Sequence, residues 1–479
     1  MKSSTRRSSP NVTLAVLVLA GIVFALLQSL VAPALPDIQR ETGASESTVS
    51  WMLTGYLLSA SVLTPILGRL GDIHGKERVL LGVLIAFGVG ALISAVANSI
   101  GLLIVGRVVQ GAGGGIFPLA FAIIRDEFPR HKVAASIGLV SSLLGVGGGL
   151  GVVLAGVIVE HLSYHWLFWI PLVMIVVAAW ATWRYVPESP VTAPGKISWV
   201  GAGLLSAGLA LVLVSVSQAS SWGWGSPRTL GLIALGLAAL GLWIRSELRV
   251  RYPLVDMRVM RIRGVWTTNV VALLVGVGMY SSFILIPQLV QEPRSTGYGF
   301  GASVTAAGLF LLPATMAQLA IGPMAGWIER RFGSKSALLA GTVFGTAAYL
   351  MLWVAHAEQW QIYVASGLMG AGIGLAFAAM ANLIVTSVPQ DQTGIATGMN
   401  TVTRTVGGAL GAQLAGTFLA GQVVATTGLP AEDGFRLGFA MCTAALLVAI
   451  AIGSLIPSRR RDGGDATTVP AAALVETRA

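Results

Sequence analysis

Residues Val146-Gly-Gly-Gly-Leu-Gly-Val-Val-Leu-Ala-Gly156 return 260 positions later as Val406-Gly-Gly-Ala-Leu-Gly-Ala-Gln-Leu-Ala-Gly416. Two more pairs keep nearly that offset. Gly111-Ala-Gly-Gly-Gly115 matches Gly370-Ala-Gly-Ile-Gly374 at 259, and Gly68 and Gly75 match Gly326 and Gly333 at 258. Markers repeated in order and in register mean two copies of one unit. Each pair sits in or beside a long apolar run, so the duplicated unit is a bundle of membrane helices.

Composition agrees. Of 479 residues, 55% are hydrophobic and only 10% charged, against about 25% charged in an ordinary soluble domain. A lipid solvent makes so few charges sensible. The single cysteine, Cys442, excludes an intrachain disulfide and a Cys-based metal site. The net charge of +10 lies in short loops between apolar runs, which reads as membrane topology and not as a nucleic-acid surface. No Gly-x-x-x-x-Gly-Lys-Ser/Thr loop is present to bind ATP. His74, His131, His161, His165 and His356 are scattered over loops without metal spacing, and no nucleophile–base constellation stands out. The expectation is therefore no cofactor, no metal, no catalytic residue and no enzyme activity.

A spanning helix needs about 20 apolar residues. Fourteen runs of that order occur, from 12–33 to 435–456. The first follows Lys2, Arg6 and Arg7, but it exceeds the apolar core of a cleaved signal, about 7–15 residues, and reads as a retained span. With the N-terminus in the cytoplasm, the external connections hold only Arg40, Arg228, Arg294 and Arg436 of the 30 Lys and Arg. Arg107 and Arg404 fall inside spans, and all the rest are cytoplasmic. That asymmetry is the positive-inside rule, and both termini come out cytoplasmic.

The repeat aligns span 2 with 10, 4 with 12 and 5 with 13. The expected organisation is an N-tail (1–11), a six-helix half (12–186), an inserted helix pair with a basic linker (187–264), a second six-helix half (265–456) and a disordered tail (457–479). An even number of helices separates the halves, so both enter the membrane in the same direction. Their pseudo-axis lies along the membrane normal, an arrangement used for alternating access. The basic run Arg245 to Arg263 fits either attraction to anionic headgroups or topology alone.

The segment Gly68-Arg-Leu-Gly-Asp72-Ile-His-Gly75-Lys-Glu-Arg78 closes span 2. Its glycines permit a tight turn. Asp72 can meet a helix N-terminus or Arg78 as a latch that breaks in another conformation, or it can cap span 3. This segment resembles the loop signature of the major facilitator superfamily. Arg107-Val-Val-Gln110-Gly111 resembles that superfamily's second motif. The span-5 stretch, with Gly147, Gly151 and Gly156, resembles the antiporter motif of drug exporters. Trp166-Leu-Phe-Trp-Ile-Pro171 and Val186-Pro-Glu-Ser189 also fit the fourteen-span drug:proton antiporter branch. The resemblance implies an all-α major facilitator fold with two pseudo-symmetric six-helix halves, an inserted pair and 14 transmembrane helices. It departs at Val152 and Ala155, where the motif usually carries proline and glycine, and at Leu27, where the branch often has an aspartate.

No Asp or Glu sits at mid-membrane; Asp37 and Glu160 close spans 1 and 5 toward the outside. A pocket for lipophilic dications needs such a carboxylate, which turns the expectation to neutral or anionic substrates. Arg107 either faces span 1, donates to Gln28 and governs a nearby acid, or clamps spans 4 and 1 through backbone carbonyls. Arg404 either contacts substrate or bridges to Asn382 or Gln413. Gln28, Tyr56, Phe117, Phe121, Tyr280, Phe283, Gln288, Phe310, Gln318, Asn382, Asn400 and Arg404 are the pocket candidates. The conformational and proton-coupling set is Arg107, Asp37, Asp72, Gln28, Arg78 and Gln110, with Asp37 or Asp72 carrying the proton. The expected protein is a monomeric, proton-coupled exporter of small hydrophobic compounds in the cell membrane, in contact with lipids and not with nucleic acid. The rivals are an uptake symporter and a lipid or metabolite transporter of the same fold.

Overall fold

The computed structural model describes residues 9–424 and 428–457, so the expected N-tail and disordered C-tail lie almost wholly outside the described residues. All fourteen apolar runs are helical. The first half comprises α1 (Pro10–Thr42), α2 (Glu46–His74), α3 (Lys76–Ala95), α4 (Ile100–Gln110), α5 (Ile116–Glu127), α6 (Arg130–His161) and α7 (Trp166–Tyr185). The middle holds α8 (Trp199–Ser217), α9 (Ala219–Trp222), α10 (Pro227–Glu247) and α11 (Met257–Met260). Then come α12 (Arg263–Gln291), α13 (Val304–Phe310), α14 (Leu312–Phe332), α15 (Ser334–Val354), α16 (Gln359–Ser387), α17 (Thr393–Gly421) and α18 (Glu432–Ser454). The expected fourth span is one α-helix pair joined by a 3-10 turn over Gly111–Gly115, and the tenth is divided at Leu311. Among the described residues, eleven helices are long and apolar enough to cross a membrane, or twelve if the stretch Ala306–Phe332, bent by 55° between Gly322 and Met324, is one span. The expected fourteen are thus not reached by length and apolarity alone; α6 and α17 are the long helices outside that set.

Local chemistry explains the helix ends. Ser45, Ser99, Ser198 and Ser226 each accept a hydrogen bond from a first-turn N–H, satisfying a donor with no partner inside the helix. Gly75 and Gly333 take φ +100° and +85°, so α2 turns into α3, and α14 into α15, within one residue. These two turns are one copy of the repeat and its echo.

The repeated glycines do the same work twice. Lipid supplies little drive for apolar faces to associate, so close backbone approach and packing must hold the helices. Gly147 and Gly151 of α6 lie against Ala25 and Ser29 of α1 with no room for a Cβ, and Ser29 Oγ donates to the Gly147 carbonyl. Gly407 and Gly411 of α17 lie in the same way against the backbone at Leu273 and Val277 of α12. Gly156 is half-buried further along α6. Gly111 abuts Ser59 and Ala60 of α2, and its repeat partner Gly370 abuts Ala314 of α14. One apolar core is drawn mainly from α1–α7 and another from α12–α18. Helices α8 and α10 pack on α2 and α17: Leu205, Leu209 and Trp243 cluster with Ile66, Ile395 and Val402.

A side chain at Gly407 would meet the Leu273 carbonyl, which cannot yield. Gly407→Val should therefore cost about 1–3 kcal/mol or more, as overpacking does. Gly82, with nothing near its Cβ position, should gain about 0.5–1 kcal/mol as alanine. Thermal unfolding in detergent, compared with the native protein, measures both signs.

Candidate functional site

A cavity of about 440 Å³ lies between the two halves. From the first half, α1 contributes Gln28, Ser29 and Pro33, α2 contributes Leu53 and Tyr56, and α4 contributes Arg107. From the second, α12 presents one face through Tyr280, Phe283, Pro287 and Gln291, joined by Phe377 of α16 and Arg404 of α17. The spacing 280, 283, 287, 291 is a helical stripe. The lining is mostly apolar, it holds two arginines, and it contains no Asp or Glu. Such a wall suits a lipophilic ligand with a few polar anchors.

Arg107 is fully buried. Its Nη1 donates to the Leu27 carbonyl at 3.3 Å and to Gln110 Oε1 at 2.7 Å, and its Nε to the Met52 carbonyl at 3.4 Å. The guanidinium stands 4.2 Å over the Tyr56 ring. Gln110 in turn donates to the Gly90 carbonyl and Ser94 Oγ of α3, both at 3.0 Å. Of the two readings, Arg107 takes the contact through backbone carbonyls, at Leu27 of α1 and Met52 of α2, and not the one to Gln28. Gln28 Nε2 faces Tyr280 OH across the cavity at 3.5 Å. Neither acid expected to answer Arg107 is among its partners. Asp37 pairs with Arg40, and Asp72 is engaged elsewhere. A buried guanidinium stays charged cheaply when carbonyls and a ring face replace water; here Nη2 remains without a partner.

Arg404 lies 4.2 Å over the Phe377 ring and has no hydrogen-bond or ion-pair partner among the described residues. The expected bridge to Asn382 is absent, because Asn382 donates to Glu329 Oε1 at 3.0 Å and to the Ala134 carbonyl. Asn400 is held by Asn269 Oδ1 at 2.9 Å. Phe310 stacks on Tyr363, Phe121 packs on Phe117, and Gln318 is buried beside Gly374. Gln288 is exposed and is not among the residues lining the cavity. None of these five lines the cavity, nor do Asn382 and Asn400; Phe117 lines only a narrow extension of about 40 Å³. Ser29, Gln291, Met279 and Phe377 line it without having been singled out; for the α12 residues, the stripe through Tyr280 and Phe283 was the available signal.

The halves close against each other at one end. Asp72, fully buried, accepts from the backbone N–H of Gly394 at 3.0 Å and of Ile395 at 2.9 Å, in the first turn of α17. Free N–H groups and the helix dipole make that terminus an anion site. Gly68, one turn earlier, is the close-approach residue, since a Cβ there would lie 2.5 Å from the Gly394 carbonyl; the tight turn belongs to Gly75. Asp72 does not meet Arg78, which pairs with Glu188 at 2.6 Å. Arg125 donates to the Val388 carbonyl at 2.8 Å and to Thr393 Oγ1 at 2.6 Å. Asp126 takes an ion pair from the buried Lys76, a hydrogen bond from Ser189 and another from Gln390 at 3.1 Å. Gly326 of α14 abuts Ala135 of α6. Lys76, Arg125 and Gln390 were not legible as a set, because nothing in sequence joins positions 264 apart.

Comparison with known proteins agrees with this geometry. A model of the Major Facilitator Superfamily matches residues 17–412 and 268–475. The chain is 27% identical over 425 residues to the tetracenomycin C resistance and export protein of Streptomyces glaucescens, covering 88% of this chain and 78% of that protein. It is 29% identical over 423 residues to the multidrug resistance protein B homolog of Mycobacterium tuberculosis, covering 86% and 76%. The crystal structure of the human organic anion transporter MFSD10 (TETRAN) shares the fold, with TM-score 0.67 at 15% identity over 93% of this chain and 100% of that one.

Lys76→Met would leave the Asp126 carboxylate buried without its cation, which should cost about 3–5 kcal/mol. Arg78→Met breaks a pair whose side chains are half to two-thirds exposed and should cost at most about 1 kcal/mol. Parallel thermal unfolding of the two variants reads the difference.

Proposed function

The chain belongs to the major facilitator superfamily, and from that premise we propose that this transmembrane transporter exports small hydrophobic compounds, neutral or anionic, in exchange for protons. The observation that carries the reading is the apolar cavity shared by both halves, closed at the Asp72 end and free of carboxylates. The halves rock about that cavity and expose it to one side of the membrane at a time. Export in preference to uptake is supported by relatives named for resistance and export.

In this reading the eleven long apolar helices, the bent stretch, α6 and α17 make fourteen spans. The closed end and both termini face the cytoplasm of a cell-membrane protein that works as a monomer among lipids. The halves are 12–186 and 265–456, with the inserted pair at 187–264 between them. Asp72 is the group that titrates: its carboxylate has only neutral donors, so a proton there removes the charge that holds α17. Asp37, paired with Arg40 near the surface, does not serve. A proton moving inward supplies about 2.3 kcal/mol per 100 mV.

Inverted membrane vesicles containing the protein should accumulate a lipophilic dye while a proton gradient stands and lose that accumulation when a protonophore collapses it. Equal accumulation in both conditions contradicts the coupling, and accumulation by intact cells contradicts the direction. For the topology, single cysteines at Arg78 and Arg261 should both react only from the cytoplasmic side. Labelling from opposite sides would break the fourteen-span arrangement.

A further inference from the structure

Two cations with no counter-charge face one apolar cavity, and each comes from a different half. Arg107 is fully buried, and its Nη2 has no partner. Arg404 stands 4.2 Å over the Phe377 ring and has no hydrogen-bond or ion-pair partner among the described residues. An uncompensated buried charge is costly, and a planar guanidinium is relieved best by a carboxylate-like anion. Nearby, Tyr280, Phe283 and Met279 of α12 line the cavity with apolar surface.

We infer that the cavity selects amphiphiles bearing a single negative charge, a carboxylate or sulfonate, seated between Arg107 and Arg404 with the apolar body against Phe283, Met279 and Phe377. The inference rests on the exporter reading above and narrows its substrate class from neutral or anionic to anionic. It assigns Arg404 as a specificity determinant. Arg107 is anchored by three donated bonds and, with its Nη2 buried, acts on the ligand through its charge, whereas Arg404 is half-buried and without a hydrogen-bond partner among the described residues. A ligand held from both halves binds the state in which the two cations converge more tightly than the state in which they part, which couples binding to rocking.

The test uses three probes with one apolar body: pyrenebutyrate, its methyl ester and pyrenebutylamine. Binding to the purified full chain in lipid nanodiscs is followed by fluorescence. The carboxylate should bind at least about tenfold more tightly than the ester, with the amine weakest. Arg404→Gln should bring the carboxylate-to-ester ratio to about one, and Arg404→Lys should restore part of it. Arg107→Gln also removes a clamp between helices, so the ratio in the Arg404 variants is the deciding readout. If the ester and amine bind as well as the carboxylate, the anion site is overturned and the exporter reading stands. If Arg404→Gln keeps the native ratio, the assignment of Arg404 is overturned. If none of the three probes binds the folded protein, the exporter reading fails and takes this inference with it.

Discussion

A buried carboxylate held by backbone donors keeps this bundle shut at one end. Asp72 meets two backbone N–H groups of α17 and nothing charged at hydrogen-bonding distance. Its stability there depends on the unsatisfied donors of a helix terminus, which exist only when α17 begins at that point. Gly68 and Gly394 remove the side chains that would keep the helices apart. The segment from α8 to α10 rests on the same two helices, through Thr54 with Ser217 and Trp224 with Thr417. It therefore sits where the halves meet.

Charge is divided between the two ends of the interface. The closed end holds Asp72, Asp126 and Glu329, each satisfied by donors across a helix contact. The cavity holds only arginines. A ligand in the cavity and a proton at the closed end would not compete for one group. They would communicate through the rigid helices α2 and α17, both of which run from one site to the other. This separation differs from a pump whose substrate displaces a proton from a shared acid.

The fold was largely legible because lipid leaves the backbone few choices: an apolar run must satisfy its own hydrogen bonds, so it becomes a helix. The repeat then fixed which helices correspond, and Gly147 and Gly407 make that correspondence visible as two equivalent close approaches. The cavity was legible in part. Gln28, Tyr56, Tyr280, Phe283 and Arg404 were found because a polar or aromatic group in a span must face protein or a ligand. Phe310, Asn382 and Asn400 satisfy the same criterion but face neighbouring helices, and helix rotation is not written in composition. Arg107 left two readings open in sequence, and the contact it makes is to the Leu27 carbonyl and not to the Gln28 side chain.

The central claim is that one charge at the closed end sets the balance between two arrangements of the halves. Electron–electron resonance distances test it, with spin labels on Lys132 and Phe332 at the closed end and on Arg40 and Ser295 at the other. In the native chain the first pair should be near and the second far. In Asp72→Asn the first distance should lengthen and the second shorten together. Distributions unchanged by the substitution, or both pairs moving in the same direction, would contradict the account.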